Sequence, residues 1–337
     1  MLPQSIESVL GRFAGQRVAV VGDLMLDRYI WGKASRISQE APVPIVAVER
    51  LSAVPGGAAN VLRNLATLGA QPSVFGVVGD DPVGDELCDL IAAHGATMDG
   101  LVRAINRKTT EKTRIIAGVQ QVVRVDTEET APLDGTAAAE VLSRALDALE
   151  RNAVDAVIIE DYAKGLVNRS LLEGIAHAAR ERGIPVALDP HPGNAHNVKG
   201  LTVITPNRTE AFALAGSYPM EGPSDILVDT ALLGVVETLE ARWAPENLLV
   251  TLGPLGMALF QPERPPLHIP TRAREVFDVS GAGDTVIATF TLALAAGASS
   301  DDAAVIANHA AGVVVGKVGT SPIGFDELVA SFYEEAL

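Results

Sequence analysis

The stretch "DVSGAGDT", Asp278 to Thr285, sets two glycines and a carboxylate before the run "TVIATFTLALAAG", which is helical in composition and ends at Gly297. The spacing predicts that Gly281, Ala282 and Gly283 form the first turn of a helix. Backbone N–H groups there have no intrahelical acceptor, and the helix dipole is positive. Glycine lets another group come close to the backbone. Such a turn suits an anion, and a phosphoryl group in transfer would be stabilised there. Asp284 stands beside it. A carboxylate at this place either complements the dipole or acts as a general base, taking a proton from a hydroxyl that attacks phosphorus.

A second glycine turn lies in "VPGGAANVLRNLATLGA" (54–70), with Gly56 and Gly57 at a helix start and Asn60 in its first turn. Small residues make room, and a carboxamide both donates to and accepts from sugar hydroxyls. A tight turn ahead of a packed helix would use the same residues. Asp23 and Asp27 in "VGDLMLD" follow the first apolar run, four residues apart. They suit carbohydrate hydroxyls, or serve as surface acids or a helix cap. Six basic residues, Arg103, Arg107, Lys108, Lys112, Arg114 and Arg124, face one acid, Glu111, between Arg103 and Arg124. Arg28, Lys33 and Arg36 form a second basic group. These read either as a solvated strand surface or as a small pocket for an anionic substrate.

Positioning these groups requires a scaffold, and its pattern is alternation. "RVAVVGD" (17–23), "SVFGVVG" (73–79), "AVIIED" (156–161), "PVALDP" (185–190), "TVITPN" (202–207) and "NLLVTLG" (247–253) are short β-branched runs ending in Gly, Asp or Asn. Runs of this kind suit strands covered on both faces. Helical patterns lie between many of them, among them "NRSLLEGIAHAARERG" with Asn168 as cap and Gly183 as stop. Strands alternating with helices predict an α/β fold with a mostly parallel sheet and helices on both faces. Ligands of such sheets lie beyond the carboxyl ends of the strands. The polar residues at those ends, Asp23, Asp161, Asp189 and Asn207, are where chemistry is expected. "PVPIVAVER" (42–50) and "EKTRIIAGVQQVVRVD" (111–126) break the alternation and read as a small antiparallel sheet. It would form a lid over the strand ends, and an exposed flat sheet also offers a dimer surface.

Composition narrows the classes. The net charge of −16 disfavours nucleic acid and anionic membranes as partners. Apolar runs of about eight residues are too short to span a bilayer. The start "MLPQSIESVLGRFAGQR" has no basic-then-apolar signal pattern, so a cytoplasmic protein is expected. The single Cys88 excludes an internal disulfide and a cysteine metal cluster, and it reads as a buried small residue. Neither glycine turn is a P-loop, and no G-x-G-x-x-G follows the first strand, which disfavours a nicotinamide dehydrogenase. The six histidines are scattered, and His191 and His196 flank "PGN" in a loop, where both are expected to face solvent.

Together, "PGGAANVLRNLATLGA" and "DVSGAGDTVIATF" resemble the two signatures of the ribokinase/PfkB family of carbohydrate kinases, in the correct order. The resemblance covers roughly residues 16–335. Within the family, "VGDLMLDRYIWGKASRISQEAPVPIV", "DYAKG", "TPNRTEAF" and "AAGVVVGKVGTS" are similar to the branch that phosphorylates heptose 7-phosphate. That branch often carries a fused nucleotidyltransferase, and none follows here before Leu337, so the stand-alone kinase form is expected. The resemblance implies one ribokinase-like kinase domain, 1–337, with a lid from about 28–52 and 105–127. It implies Asp284 as base, with Gly281, Ala282 and Gly283 as anion hole. Asp23, Asp27, Gly56, Gly57 and Asn60 would hold the sugar. Lys112 and Arg114 would meet its phosphate, with Asp161 and Lys164 as further substrate candidates. ATP would meet Asn207, Arg208, Thr209 and Glu210, then Thr251, Gly253 and Gly256, with Asn308 near the adenine. Glu210 would act indirectly on Mg²⁺, and Asp278 and Ser280 would lie near a K⁺ site. A homodimer through the lid is expected. One departure stands out: His191 follows "LDP" where the branch leads one to expect Lys. The rival readings are a kinase with another acceptor, such as fructose, ribose or a nucleoside, and a non-catalytic sugar-phosphate sensor.

Overall fold

Val18, Ala19, Val20 and Val21 are all buried, the even positions in one hydrophobic cluster and the odd ones in another. Strand side chains alternate between faces, so an unbroken apolar run means that both faces are covered. The computed structural model describes residues 3–133, 135–223, 225–273 and 275–333. Its elements begin with α1 (Gln4–Leu10), β1 (Arg17–Gly22), β2 (Leu24–Ile37), β3 (Pro44–Gly57), α2 (Ala58–Thr67) and β4 (Gln71–Gly79). Then come α3 (Pro82–Ala93), β5 (Thr97–Ala104), β6 (Thr110–Ala117), β7 (Gln120–Thr127), α4 (Gly135–Glu150), β8 (Ala156–Glu160) and α5 (Arg169–Arg180). The chain continues with β9 (Val186–Asp189), β10 (Val203–Ile204), α6 (Arg208–Ala215), α7 (Thr230–Trp243) and β11 (Asn247–Thr251). It closes with β12 (Met257–Phe260), β13 (Leu267–Ile269), α8 (Ala282–Ala295), α9 (Ser300–Val314) and α10 (Phe325–Ser331).

Nine strands form the large sheet, in the order β13-β12-β11-β10-β9-β8-β1-β4-β5. From β11 to β5 all pairings are parallel, and only the β11–β12 and β12–β13 pairs are antiparallel. Residues of α1, α2, α3, α8, α9 and α10 fill the cluster on one face, and those of α4, α5, α6 and α7 fill the other. This is the α/β arrangement that the alternation anticipated. Local chemistry sets the helix starts. Asn168 caps α5 by accepting the Leu171 N–H at 3.0 Å, and Asp81 caps α3 at Gly84 N. Each such cap contributes about 1 kcal/mol. Cys88 is buried, as its apolar setting implied.

The small sheet has the order β3-β2-β6-β7. Two antiparallel hairpins, β2–β3 and β6–β7, meet along a parallel β2–β6 seam. The segment read as one strand at 111–126 is a hairpin, turning at Gly118 with φ +65°. The small sheet also begins earlier than expected. Leu24–Ile37 is a fourteen-residue strand, so Asp27 lies within β2 rather than in a loop after β1. Conversely, the run 202–207 yields only two strand residues, because Pro206 has no N–H to continue the ladder. No helix among the described residues is long and apolar enough to cross a membrane.

Candidate active site

Asp284 lies in the first turn of α8, which begins at Ala282 behind Gly281 in the left-handed conformation, φ +79°. Only 6% of Asp284 is exposed. Its Oδ2 accepts from Asn60 Nδ2 at 2.6 Å, and its Oδ1 accepts from the Tyr162 hydroxyl at 2.7 Å. Both donors are neutral. No described cation forms an ion pair with it, so no salt link occupies the carboxylate. Burial pushes its pKa upward, the bonds from Asn60 and Tyr162 pull it down, Asp27 raises it and Lys112 lowers it; the net direction is up. Gly281 is obligatory: a Cβ there would lie 2.7 Å from Asn60 Nδ2, the donor that holds Asp284. Ala282 and Gly283 complete the turn, and Gly283 faces Asp189, whose Oδ2 is 4.0 Å from the place of a Cβ.

Around this turn the structure gathers most of the sugar-side candidates. Asn60 is third in α2, 1% exposed, and its Oδ1 also accepts from Arg63. Gly57 ends β3 at φ +57°, and a Cβ at Gly56 would collide with the Asp27 carboxylate. The second glycine turn therefore lets β3 lie flush against β2. Asp27 is buried and accepts from Arg114 Nη1 at 2.5 Å. Arg114 thus meets a carboxylate of the protein itself and also lies over the Tyr29 ring. Lys112 Nζ sits 5.8 Å from the centre of the Tyr162 ring, and burial lowers its pKa. The inner face of the small sheet is therefore built into the site, and Tyr29 OH reaches Thr320 Oγ1 at 3.1 Å.

The acids at the strand ends divide the labour. Asp23 is 4% exposed, and its carboxylate accepts from the backbone amides of Tyr162, Lys164 and Leu166. It pins the loop "DYAKG" against β1. Asp161 accepts from Ala163 N and Asn194 Nδ2, and burial lifts its pKa to about 7. Both thus organise the loop that carries Tyr162 and Lys164. Lys164 Nζ pairs with Glu128 at 2.8 Å. Glu160 and Asp189 face each other across β8 and β9, and burial drives both carboxyls well above their ordinary range. Neither oxygen of Glu160 has a hydrogen-bond partner among the described residues.

The remaining candidates lie toward β10 and β11. Asn207 caps α6, accepting Glu210 N, while the Glu210 carboxylate accepts Asn207 N in return. The N-x-x-E spacing is thus a reciprocal capping box. Arg208 turns away, pairing with Asp229 at 2.7 Å and bonding Met220 O. Thr209 is exposed. Thr251 ends β11 and bridges to Asn207. Gly253 and Gly256 both have positive φ, and a Cβ at Gly256 would strike Ile269 O. Asn308 is buried and donates to Pro270 O at 2.7 Å, tying α9 to the segment after β13. Asp278 accepts from Ser280 N and Gly319 N, clamping the approach to α8. His191 is exposed and folds its ring back to accept Gly193 N, while His196 is half-buried.

Sequence reasoning missed Tyr162, the second donor to Asp284, and Glu160 beneath the turn. Tyr162 was visible only as the neighbour of a strand-end Asp, and nothing in its type announced a hydrogen bond to residue 284. Glu160 was hidden inside the apolar run "AVIIE".

The pattern matches known proteins. The model of the "pfkB family carbohydrate kinase" matches residues 16–326. "Bifunctional protein HldE" of Citrifermentans bemidjiense is 42% identical over 97% of this chain, and that of Caulobacter vibrioides is 43% identical over 94%. The chain spans 65% and 64% of the lengths of these two relatives. Among solved structures, Arabidopsis thaliana ribokinase complexed with ribose and ATP superposes with a TM-score of 0.70 at 20% identity, over 94% of this chain and 98% of that one. Escherichia coli phosphofructokinase-2 in complex with potassium gives 0.74 at 18% identity, over 96% and 100%. Such identities show a shared fold, and the family match goes further: this chain belongs to the pfkB family of carbohydrate kinases.

Proposed function

We propose that the protein transfers the γ-phosphoryl group of ATP to the anomeric hydroxyl of D-glycero-β-D-manno-heptose 7-phosphate. The product would be the 1,7-bisphosphate, on the way to ADP-heptose and the lipopolysaccharide inner core. The observation that carries the kinase chemistry is Asp284, a buried carboxylate without a cationic partner among the described residues, held by two neutral donors at a glycine turn that opens α8. The sugar assignment rests on the motif resemblance.

In this reading Asp284 accepts the proton of the C1 hydroxyl as that oxygen bonds to the γ-phosphorus. The bond from phosphorus to the bridging oxygen breaks, and ADP leaves. The amides of 281–283 stabilise the charge on the moving group. Asn60 orients Asp284, and the small sheet excludes water, the competing acceptor. Among the described residues no three His, Cys, Asp or Glu side chains converge on a metal position. That fits Mg²⁺, which keeps several waters and binds through phosphates with one or two carboxylates. Asp189 and Glu160, buried without a cation among the described residues, and Glu210 are the carboxylates that would face hydrated Mg²⁺, and the ion would neutralise phosphate charge. Asp278 and Ser280 would border K⁺. The two sheets would work as one cytoplasmic kinase domain that dimerises through the small one.

The test is Asp284→Asn. Its fold and ATP binding should persist while turnover with heptose 7-phosphate falls by about 10²–10⁴-fold. Near-normal turnover would sink the base assignment. Strong activity on unphosphorylated hexose with none on heptose 7-phosphate would transfer the protein to another acceptor. Ligand binding without ATP consumption would favour a sensor.

A further inference from the structure

A small recess, partly open to solvent, lies beyond the carboxyl ends of β1 and β4. Its lining includes Gly22, Asp23 and Gly79, with three cations: Arg107, Lys108 and Lys164. Asp23 is the one acid of the lining, and its oxygens already accept from three backbone amides. Arg107 donates to the backbone oxygens of Glu129, Ala131 and Lys164 and to no carboxylate among the described residues. Its full positive charge is therefore held rigidly at the wall. Lys164 pairs with Glu128, which is outside the lining. The Lys108 side chain is exposed, and its backbone N–H donates to Glu129. Gly79 is required at this wall, because a Cβ would strike Arg107 O.

The recess stands at a definite place relative to the chemistry. Tyr162 connects the two: its backbone N–H donates to Asp23 in the lining, and its hydroxyl donates to Asp284. One tyrosine thus spans from the recess to the reacting carboxylate. The glycine turn at Gly253 and Gly256 follows β11, which is separated from β1 by β10, β9 and β8. α8 packs against β8 and β9, which lie between those two ends, and Gly283 in its first turn faces Asp189 at the end of β9. An anion in the recess is therefore on the side of Asp284 opposite the β11 turn.

We propose that this recess is the subsite for the distal phosphate of the acceptor, with Arg107 and Lys108 as its specificity-determining cations and Lys164 as the third. The proposal rests on the reading that the acceptor is a sugar phosphate. It replaces Arg114, whose guanidinium is committed to Asp27, as the principal phosphate partner. A sugar with its reacting hydroxyl at one end and a phosphate at the other would lie along Tyr162, under Lys112.

The experiment uses the full chain with ATP and two variants, Lys108→Gln and Lys164→Gln; Arg107 is left intact because it holds three carbonyls. Kinetics with heptose 7-phosphate are paired with calorimetric titration of inorganic phosphate. Each variant should raise the acceptor KM by about ten- to a hundredfold, the value of one charged hydrogen bond, and weaken phosphate binding similarly. The KM for ATP should stay within a factor of two or so of the parent's, by the uniform-binding argument. Unchanged acceptor KM and unchanged phosphate binding in both variants would overturn the subsite. If heptose 7-phosphate is no substrate, yet phosphate binding is lost in Lys108→Gln, the substrate reading falls and the anion site stands.

Discussion

Replacing Tyr162 by Phe removes one of the two donors that hold Asp284 and leaves the ring in place. The hydroxyl sits 2.7 Å from Asp284 Oδ1, in a site where the carboxylate is 6% exposed. A hydrogen bond to a charged group contributes about 1.5–3 kcal/mol, and solvent screening is weak at this depth. One pH unit corresponds to about 1.36 kcal/mol, so the loss should lift the Asp284 pKa by roughly one to two units. The sign follows from the active form. Only the carboxylate accepts a proton, and losing a donor to the carboxylate favours the protonated form. Burial already raises this group, and Tyr162 is one of the bonds that lower it. The tyrosine's own pKa is pushed well up by burial and by Asp284, so it remains a donor across the working range. The acid limb of kcat/KM should therefore move to higher pH by one to two units or so, with activity recovering in alkali. A limb that stays in place, or moves down, would refute the electrostatic role of Tyr162. Because kcat/KM reports the free enzyme and kcat the complex, a shift confined to kcat/KM would show that the acceptor hydroxyl takes over the tyrosine's place.

Asp161→Asn tests the neighbouring acid. Its pKa rises from 3.8 to about 7 on folding, so the folded chain holds a proton that the unfolded chain releases in that window. Stability from this group is present below about pH 4 and declines as pH rises toward 7; three units correspond to on the order of 4 kcal/mol. Denaturant melts at pH 5 and pH 8 should show a shallower decline for the variant, and an equal decline would refute the assignment. On the outer face of the small sheet, Val123 and Val125 are 44% and 52% exposed and pair with Ile115 and Thr113. Sedimentation of the parent should give a dimer mass and that of Val123→Lys a monomer mass; a monomeric parent would remove the proposed lid dimer.

Much of the layout was legible because periodicity reports burial. The runs at β1, β4, β8 and β11 are apolar on both faces, and they were read as covered strands. The glycine turn that opens α8 was legible because glycines at 281 and 283 before a helical run admit few geometries. The edge strand β5, "TMDGLVRA", was not read, because one side of it meets no neighbour and its pattern is half polar. β12 and β13 were likewise missed, being four and three residues long. In the second lid segment, Gly118 turns the chain back, so one apolar stretch became two strands.

Residue types and short-range spacing determined which groups are candidates for chemistry: Asp284 with its glycines, Asn60 after Gly56 and Gly57, and the basic residues from 103 to 124. Such properties depend on a few neighbours in the chain, so the sequence alone carries them. Tertiary structure decided which of these groups are occupied and which are left for a substrate. Asp27 claims Arg114, Asp229 claims Arg208 and Pro270 O claims Asn308, whereas Tyr162 turns to Asp284 across 122 positions. A hydrogen bond or ion pair forms between groups that folding brings within about 3 Å. That proximity is set by the packing of the whole sheet, which no local pattern encodes.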